Sequence, residues 1–264
     1  MQLEARGRRF WHKSNSRFAT QSNATGSFYR LRSQTVALLV ARLQTGRRHL
    51  DVGCGTGHFC NLMLCLGFDS YGVDPSPTQI EIARKAAEQL GLNAEETFRV
   101  GDVDTAFPDE MFDLVTALGV LPYVADWPEF LTALKCRCVP GAIIVLTLTR
   151  RFSLFTLIAL WQHLSRPSFS TRWRWVLANL LHTGLWSGGF VARSASTAGS
   201  DASALHKVAR DLELRAVATI DLYNIALLDR RPLDRPPLAR FFARHLSWCH
   251  IVFFKVTHVE TKKI

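Results

Sequence analysis

The sequence predicts an α/β fold: a doubly wound, seven-stranded and mostly parallel sheet with a helical insertion after the fifth strand. Strand-like apolar runs alternate with helical patterns between residues 49 and 149, and such alternation is typical of parallel sheets covered by helices on both faces. A glycine-rich turn follows the first run. The alternation stops after residue 150 and resumes near residue 202, so the end of the chain is expected to complete the sheet.

The individual elements follow from apolar periodicity and from glycine or proline stops. Strands are predicted at 49–53, 70–74, 97–100, 112–118, 142–149, 214–220 and 250–256. Helices are predicted at 29–45, 59–67, 78–90, 127–138 and 202–211. Right-handed crossovers then place helices on both faces of the sheet. Four parts are predicted: a basic N-terminal arm and helix (1–45), a ligand-binding core (46–149), a helical cap (150–200) and a C-terminal completion of the sheet (201–264).

Composition is that of a globular protein with a sizeable core. The chain has 264 residues, of which 48% are hydrophobic and 20% are charged. No apolar run reaches the roughly 18 residues of a membrane-spanning helix, and the start lacks the apolar stretch of a secretory signal. A cytoplasmic protein is therefore expected, with a transit peptide as the alternative. The six cysteines form no CxxC pair, so reduced thiols and no metal site are expected.

The net charge of +10 is unevenly distributed. Residues 1–48 carry ten Lys/Arg and one acid, residues 49–148 carry five and fourteen, and residues 149–264 carry seventeen and seven. An acidic middle therefore lies between two basic arms. Basic arms attract phosphates, carboxylates, acidic lipids or nucleic acids, and the alternative is a solvated surface that keeps the protein soluble.

The most specific motif is the segment Leu50-Asp51-Val52-Gly53-Cys54-Gly55-Thr56-Gly57, which lies between a predicted strand and a predicted helix. Glycines there let the backbone approach a ligand closely and turn into the helix. A dinucleotide fingerprint would place its third glycine at position 58, where His58 stands. The GxxxxGK[ST] phosphate loop is also absent. The loop is therefore not of a pyrophosphate-binding type.

Acidic residues follow the next two strands. Asp74 ends the second strand, where a carboxylate is placed to accept from both hydroxyls of a ribose. Asp102 follows the third strand, where it could accept from an adenine amino group with Val103 against the ring. Together with the glycine loop, these acids indicate a nucleoside site at one edge of the sheet.

In this order and spacing, the segments resemble the class I S-adenosylmethionine-dependent methyltransferases that act on small molecules, from about residue 48 to 149. The first motif of that family, an acid followed by GxGxG, matches this chain position by position. The resemblance implies a Rossmann-like methyltransferase fold, methyltransferase activity and S-adenosyl-L-methionine as the cofactor. The cofactor-binding residues that it implies are Asp51, Gly53, Gly55, Gly57, Asp74, Asp102, Val103, Leu118 and Gly119.

The resemblance also implies a role for each segment. Gly53 and Gly55 would pass close to the methionine part of the cofactor, and Asp74 would hold the ribose. The segment 112–121 resembles the fourth-strand motif of the family, so its Leu118-Gly119 backbone would lie near the sulfonium. The sequence Val139-Pro140-Gly141 resembles the turn before the fifth strand of the family.

Motifs that the sequence lacks exclude some classes of methyl acceptor. Methyl transfer mainly requires alignment of donor and acceptor, and a base helps only where the acceptor must lose a proton. The segment 118–123 is not the [DNS]PP[YF] pattern, which in this superfamily accompanies methylation of adenine or glutamine amino groups. The Pro-Cys pair that carries the nucleophile of cytosine-C5 methyltransferases is also absent. A small molecule methylated at oxygen, carbon or nitrogen is therefore expected, with oxygen favoured. His58 and Tyr123 are the candidate bases, and the alternative is that they only line the pocket.

Residues 150–200 are expected to cover the acceptor. Apolar positions within 154–164 and 173–181 each fall on one helical face, with arginines nearby. A helix of about 14 residues is about 21 Å long, which is too short to cross a bilayer core of about 30 Å. Packing on the core is favoured, and peripheral membrane contact through residues 150–190 is the alternative.

Three functions remain open at this level. A small-molecule methyltransferase with an apolar or anionic acceptor is favoured. An RNA-directed methyltransferase is suggested only by the basic arms, and because no RNA-binding module is recognisable, nucleic acid is not an expected partner. A non-catalytic methyltransferase-like partner protein would carry a damaged cofactor loop, whereas this loop is intact.

Overall fold

The computed structural model describes residues 24–43, 46–149, 185–186, 189–190, 202–222 and 249–257. The helices are α1 (Ala24–Arg42), α2 (His58–Cys65), α3 (Pro77–Glu88), α4 (Ala94–Thr97), α5 (Val103–Ala106), α6 (Trp127–Lys135) and α7 (Ala202–Asp211). The strands are β1 (Arg48–Val52), β2 (Asp69–Asp74), β3 (Phe98–Val100), β4 (Phe112–Ala117), β5 (Cys138–Thr149), β6 (Leu185–Trp186), β7 (Gly189–Phe190), β8 (Leu214–Leu222) and β9 (Cys249–Val256). A 3₁₀ turn covers Leu121–Tyr123.

Seven strands form one sheet in the order β3-β2-β1-β4-β5-β9-β8. The strands β1 to β5 are parallel, whereas β9 runs antiparallel to both of its neighbours, β5 and β8. The predicted seven-stranded, mostly parallel α/β fold is therefore confirmed. The chain order reverses between β1 and β4, and in open α/β sheets ligands bind outside the carboxyl ends of the strands at such a switch point.

Helices cover both faces of the sheet. On one face, α6 and α7 bury apolar side chains such as Phe130 and Leu205 against strand residues such as Leu50. On the other face, α1 and α2 bury Val36 and Phe59 with residues of β4, β5 and β9. Burial of a side chain of this size contributes about 1.5–3 kcal/mol. This packing fixes α1 over the sheet and close to the switch point.

The fifth strand differs from its prediction more than any other strand of the sheet, because it begins at Cys138 rather than at residue 142. The pairing of β4 with β5 shifts register after Phe112↔Cys138 and resumes at Leu114↔Ile143. Pro140 has no N–H to donate to the sheet, and Gly141 adopts a φ of 85°. The expected turn at Pro140-Gly141 is therefore an irregularity inside the strand rather than its start.

Further differences lie outside this sheet. Helix α1 begins at Ala24, five residues before its predicted start, and the short helices α4 and α5 were not predicted. The predicted cap helices at 154–164 and 173–181, and the arm before residue 24, lie outside the described residues. The two-residue strands β6 and β7 pair with each other in antiparallel orientation. Among the described helices, none is both long enough and apolar enough to cross a membrane.

Candidate functional site

The glycine loop is fixed to the end of the neighbouring strand. The N–H groups of Gly53 and Cys54 donate to the carbonyl oxygen of Val73 at 2.8 and 3.1 Å. The Gly55 N–H donates to Oδ2 of Asp74 at 2.9 Å. Because β1 and β2 are adjacent and parallel, these bonds hold the loop against the carboxyl end of β2. The loop and Asp74, the predicted ribose ligand, therefore form one unit.

Two glycines of the motif have different surroundings. Gly55 has a φ of 57°, and a Cβ atom placed on it would meet no atom of the described residues within 4 Å. Gly57 has a φ of 72°, but a Cβ atom there would lie 2.7 Å from Cζ of Phe98 and 2.9 Å from Cβ of Ala83. Gly55 thus presents bare backbone to open space, as a ligand-binding loop requires. Gly57 allows close packing of the loop on α3 and β3.

Asp74 lies where three segments meet. Its Oδ1 accepts the Ser76 N–H at 2.9 Å, and its Oδ2 accepts the Gly55 N–H. Its carbonyl oxygen accepts the Gly101 N–H at 3.1 Å, which connects the end of β2 to the end of β3. The side chain is nearly buried, at 9% exposure. Asp74 therefore fixes the loop in addition to the ribose role predicted for it.

Asp102 and Val103 follow β3. Asp102 caps α5: its Oδ1 accepts the N–H of Thr105 at 3.2 Å and the hydroxyl of Thr105 at 2.9 Å. Both bonds use the same oxygen of the carboxylate. The Val103 side chain is fully buried in the main core, so a contact with an adenine ring would have to involve its backbone in this conformation. The adenine roles of both residues remain predictions.

Asp51 is a buried carboxylate on β1. Its Oδ1 accepts the Thr116 hydroxyl of β4 at 2.6 Å. Burial raises the pKa of Asp51 to about 7, and the nearby Asp74 carboxylate adds to the increase, whereas the Thr116 bond and the Arg32 guanidinium oppose it. Near neutral pH, Asp51 therefore changes between its charged and its neutral form. A cationic ligand would favour the carboxylate.

Arg32 of α1 is a site residue that the motifs do not reveal. A Cβ atom on Gly119 would lie 3.1 Å from its Nη1, which places the guanidinium beside the backbone after β4. The guanidinium also lies over the Tyr29 ring, 4.7 Å from the centroid. Its Nε is buried and has no hydrogen-bond partner in the part of the chain that the structure describes. The orphaned donor and the charge point to an anionic ligand group.

The backbone after β4 borders the same edge of the sheet. The Gly119 N–H donates to the Thr147 hydroxyl of β5 at 2.6 Å. Leu118 is 8% exposed and packs in the apolar cluster under α1. A Cβ atom on Gly53 would lie 2.5 Å from Cγ2 of Val120, so the first loop and this segment are in close contact. Predicted residues from β1, β2 and β4 are thus gathered at one edge.

The two candidate bases are both half-buried. His58 is the first residue of α2, and its pKa is lowered by burial and then by the charges of Arg32 and Arg30. It is therefore a neutral imidazole at physiological pH, which can accept a proton. Tyr123 ends the 3₁₀ turn after β4. The catalytic roles of His58 and Tyr123 remain predictions.

Comparison with known protein sequences gives a match to a family. A family model described as a methyltransferase domain matches residues 24–192, which is more than half of the chain. A ubiquinone biosynthesis O-methyltransferase of Rhodopseudomonas palustris is 37% identical over 114 residues, or 43% of this chain and 44% of that protein. The enzyme of the same name from Cereibacter sphaeroides is 38% identical over 106 residues, or 40% and 42%. The chain therefore matches less than half of the length of these relatives.

Solved structures share the fold at low sequence identity. An N-methyltransferase of Bradyrhizobium japonicum in complex with S-adenosyl-L-homocysteine has a TM-score of 0.59 at 15% identity, and the match covers 96% of this chain and all of that one. A geranyl diphosphate C-methyltransferase of Streptomyces coelicolor has a TM-score of 0.56 at 15% identity, with coverage of 95% and 97%. Because these names differ in the methylated atom, the fold does not determine the acceptor. The chain therefore belongs to the methyltransferase domain family. This match confirms the assignment to the class I S-adenosylmethionine-dependent methyltransferase family that the motifs predict.

Proposed function

We propose that this protein transfers a methyl group from S-adenosyl-L-methionine to an oxygen atom of a small apolar or anionic acceptor. The observation that carries the proposal is the strand-end site itself, where the described residues leave space beside the Gly55 backbone and where the buried Asp51 carboxyl interacts with the charge of Arg32. The names of the curated relatives, which are O-methyltransferases of ubiquinone biosynthesis, support oxygen as the methylated atom. They also favour an apolar phenol as the acceptor.

The residues of the site fit the cofactor. The methionine end of S-adenosyl-L-methionine carries a carboxylate, an ammonium group and a positive sulfur. The Arg32 guanidinium, with its orphaned Nε, would hold the carboxylate. Asp51 would face the positive groups, and Asp74 would hold the ribose. The open space beside Gly55 would admit the cofactor against bare backbone.

The residues around the site also fit a hydroxyl acceptor. When bound, the cofactor supplies an electrophilic methyl group, so the protein has to align the acceptor and dispose of its proton. His58 is neutral at physiological pH and can accept the proton of a hydroxyl. The charges of Arg30 and Arg32, which depress the pKa of His58, would also stabilise the oxyanion that results. An anionic or acidic acceptor is therefore favoured over a cationic one.

Calorimetric titration and a methylation assay test this function together. We expect micromolar binding of S-adenosyl-L-methionine, no binding of NAD, and transfer of an isotope-labelled methyl group to short-chain prenylated catechols. The chemical shift of the transferred methyl group identifies the bound atom as oxygen, carbon or nitrogen. Binding without transfer to any phenol would overturn the acceptor, whereas absence of binding would overturn the whole function. Sedimentation with acidic vesicles tests the alternative of a peripheral membrane contact through residues 150–190.

Gly55→Ala is expected to weaken cofactor binding by more than tenfold without unfolding the protein. The added methyl group enters the open space in which the cofactor would lie, and a left-handed non-glycine residue costs about 1–2 kcal/mol of stability. Gly91→Ala is the matched control, because Gly91 has a φ of 72° and, within the part of the chain that the structure describes, its Cβ would also meet no atom within 4 Å. Both variants should lose similar thermal stability, whereas calorimetry should show normal affinity for Gly91→Ala. Equal affinities would exclude Gly55 from the site.

A further inference from the structure

Four polar side chains form a continuous hydrogen-bonded chain through the sheet beneath the site. The Ser70 hydroxyl of β2 lies 2.7 Å from Nδ1 of His49 on β1. Nε2 of His49 lies 2.9 Å from the Thr116 hydroxyl of β4. That hydroxyl lies 2.6 Å from Oδ1 of Asp51. The chain thus crosses three neighbouring strands and ends on the acid of the cofactor loop.

The register of the sheet places these groups on one face. His49 pairs with Ser70 across β1 and β2, and Asp51 pairs with Thr116 across β1 and β4. His49 and Asp51 are two residues apart on one strand, so their side chains point to the same side. Helix α2 covers this side, with the Phe59 ring edge-on to His49 at 5.5 Å between centroids. The four side chains are at most 3% exposed.

The donors and acceptors in this chain have one consistent arrangement while Asp51 is a carboxylate. The Thr116 hydroxyl has one proton, which it gives to Asp51, so its oxygen must accept a proton from Nε2 of His49. Burial lowers the pKa of His49 to about 3, so the imidazole is neutral and its Nδ1 carries a lone pair. That lone pair accepts the Ser70 hydroxyl proton. Every group in this hydrogen-bonded chain therefore donates its proton in the direction of Asp51.

We propose that His49 is a positioning residue for the cofactor site, which acts through Thr116 to hold Asp51 in its charged form. The inference rests on the proposed function, because it concerns the affinity of this carboxylate for a cationic cofactor. The Thr116 bond favours the charged form of Asp51 against the effect of burial. A hydroxyl that itself accepts a hydrogen bond is a stronger donor, because hydrogen bonds in a chain polarise one another.

The other groups around Asp51 define the expected pH dependence. Arg32 of α1 favours the carboxylate and Asp74 of β2 disfavours it. Cys54 and Cys60 also face Asp51, but burial raises the pKa of both thiols, so they remain neutral. With the pKa of Asp51 at about 7, the charged form is present above this pH and is lost below it. Affinity for the cofactor should therefore fall by roughly tenfold between about pH 8 and about pH 6.

Substitutions at His49 test whether the hydrogen-bonded chain sets this pH dependence of cofactor affinity. His49→Leu removes the donor to Thr116, and we expect cofactor affinity at about pH 7 to fall by roughly fivefold, with the profile displaced to higher pH. Near pH 9, where Asp51 is charged in every variant, the ratio to wild type should return to about one. His49→Gln carries an amide N–H near the place of Nε2 and should restore the wild-type profile.

Thr116→Val supplies the second arm of the experiment. Because His49 acts through Thr116, His49→Leu should have little further effect in a Thr116→Val background, which calorimetry of the double-mutant cycle measures. Nitrogen NMR of the free wild-type protein at about pH 8 should show His49 as the Nε2–H tautomer. This measurement needs neither cofactor nor variant, so it can overturn the inference even if His49→Leu fails to fold.

The outcomes are distinguishable. An Nδ1–H tautomer at about pH 8, additive losses in the double-mutant cycle, or a His49→Leu loss that persists near pH 9 would overturn the inference. Normal binding and an unchanged profile in His49→Leu would do so as well, and would leave His49 a satisfied core residue. If the wild-type protein does not bind S-adenosyl-L-methionine at any pH, the proposed function fails and this inference fails with it.

Discussion

Asp74→Ala is expected to weaken binding of S-adenosyl-L-methionine by at least tenfold in calorimetry. Two effects add in this variant. The ribose hydroxyls lose their predicted acceptor, and hydrogen bonds to a charged group contribute about 1.5–3 kcal/mol. The Gly55 N–H also loses its partner at 2.9 Å, so the loop that presents bare backbone to the cofactor is no longer fixed to β2. Turnover should fall at low cofactor concentration and recover partly at saturation.

Asp69→Ala is the matched control for Asp74. Asp69 is an exposed acid at the opposite end of the same strand, so its loss changes the net charge equally and does not alter the site. We expect cofactor affinity close to that of wild type in this variant. Thermal unfolding of both variants separates a local defect from a global one. A folded Asp74→Ala protein with normal affinity would remove the ribose assignment and leave Asp74 as a structural clamp of the loop.

The sheet could be predicted from the sequence because local signals agree with the fold. Helix α7 has its predicted ends, and most core strands are within one residue of theirs. The fifth strand was misjudged because Pro140 and Gly141 are ordinary stop signals. In the folded protein the strand includes both residues, since pairing of Phe112 with Cys138 extends it beyond the irregularity. The pairing of β4 with β5 therefore outweighs the strand-breaking preference of Pro140 and Gly141.

The candidate site was predictable in part, for a related reason. Strand-end acids and glycines recur at fixed spacings, because parallel strands bring their carboxyl ends to one edge. Arg32 has no such spacing, since α1 reaches the site only by packing its apolar face on the sheet. The hydrogen-bonded chain that joins the Ser70 and Asp51 side chains could not be predicted from the sequence either, because it depends on which strands are neighbours. A spatial order in which β1 lies between β2 and β4 cannot be derived from the spacing of a motif.

Arg32→Met is expected to reduce cofactor affinity by roughly tenfold to a hundredfold, the largest single effect of a residue outside the motifs. The loss of a charge-assisted hydrogen bond to the cofactor carboxylate accounts for most of it. Arg32→Lys keeps the charge but not the planar, two-pronged donor, so an intermediate affinity is expected. Arg42→Met is the control, since Arg42 lies in the last turn of the same helix and is exposed. Calorimetry and thermal unfolding of the three variants make the comparison.

The pH profile of Arg32→Met adds a second, independent result. The guanidinium lowers the pKa of Asp51 and that of His58, so its removal raises both. Asp51 then stays protonated to a higher pH, and the affinity loss should be greatest below about pH 7 and smaller above it. His58 would be protonated over more of the acidic range, so the acidic limb of kcat should also move to higher pH if His58 is the base. A loss of the same size at every pH would mean that Arg32 does not set the charge of Asp51, and would leave only its direct bond to the cofactor carboxylate.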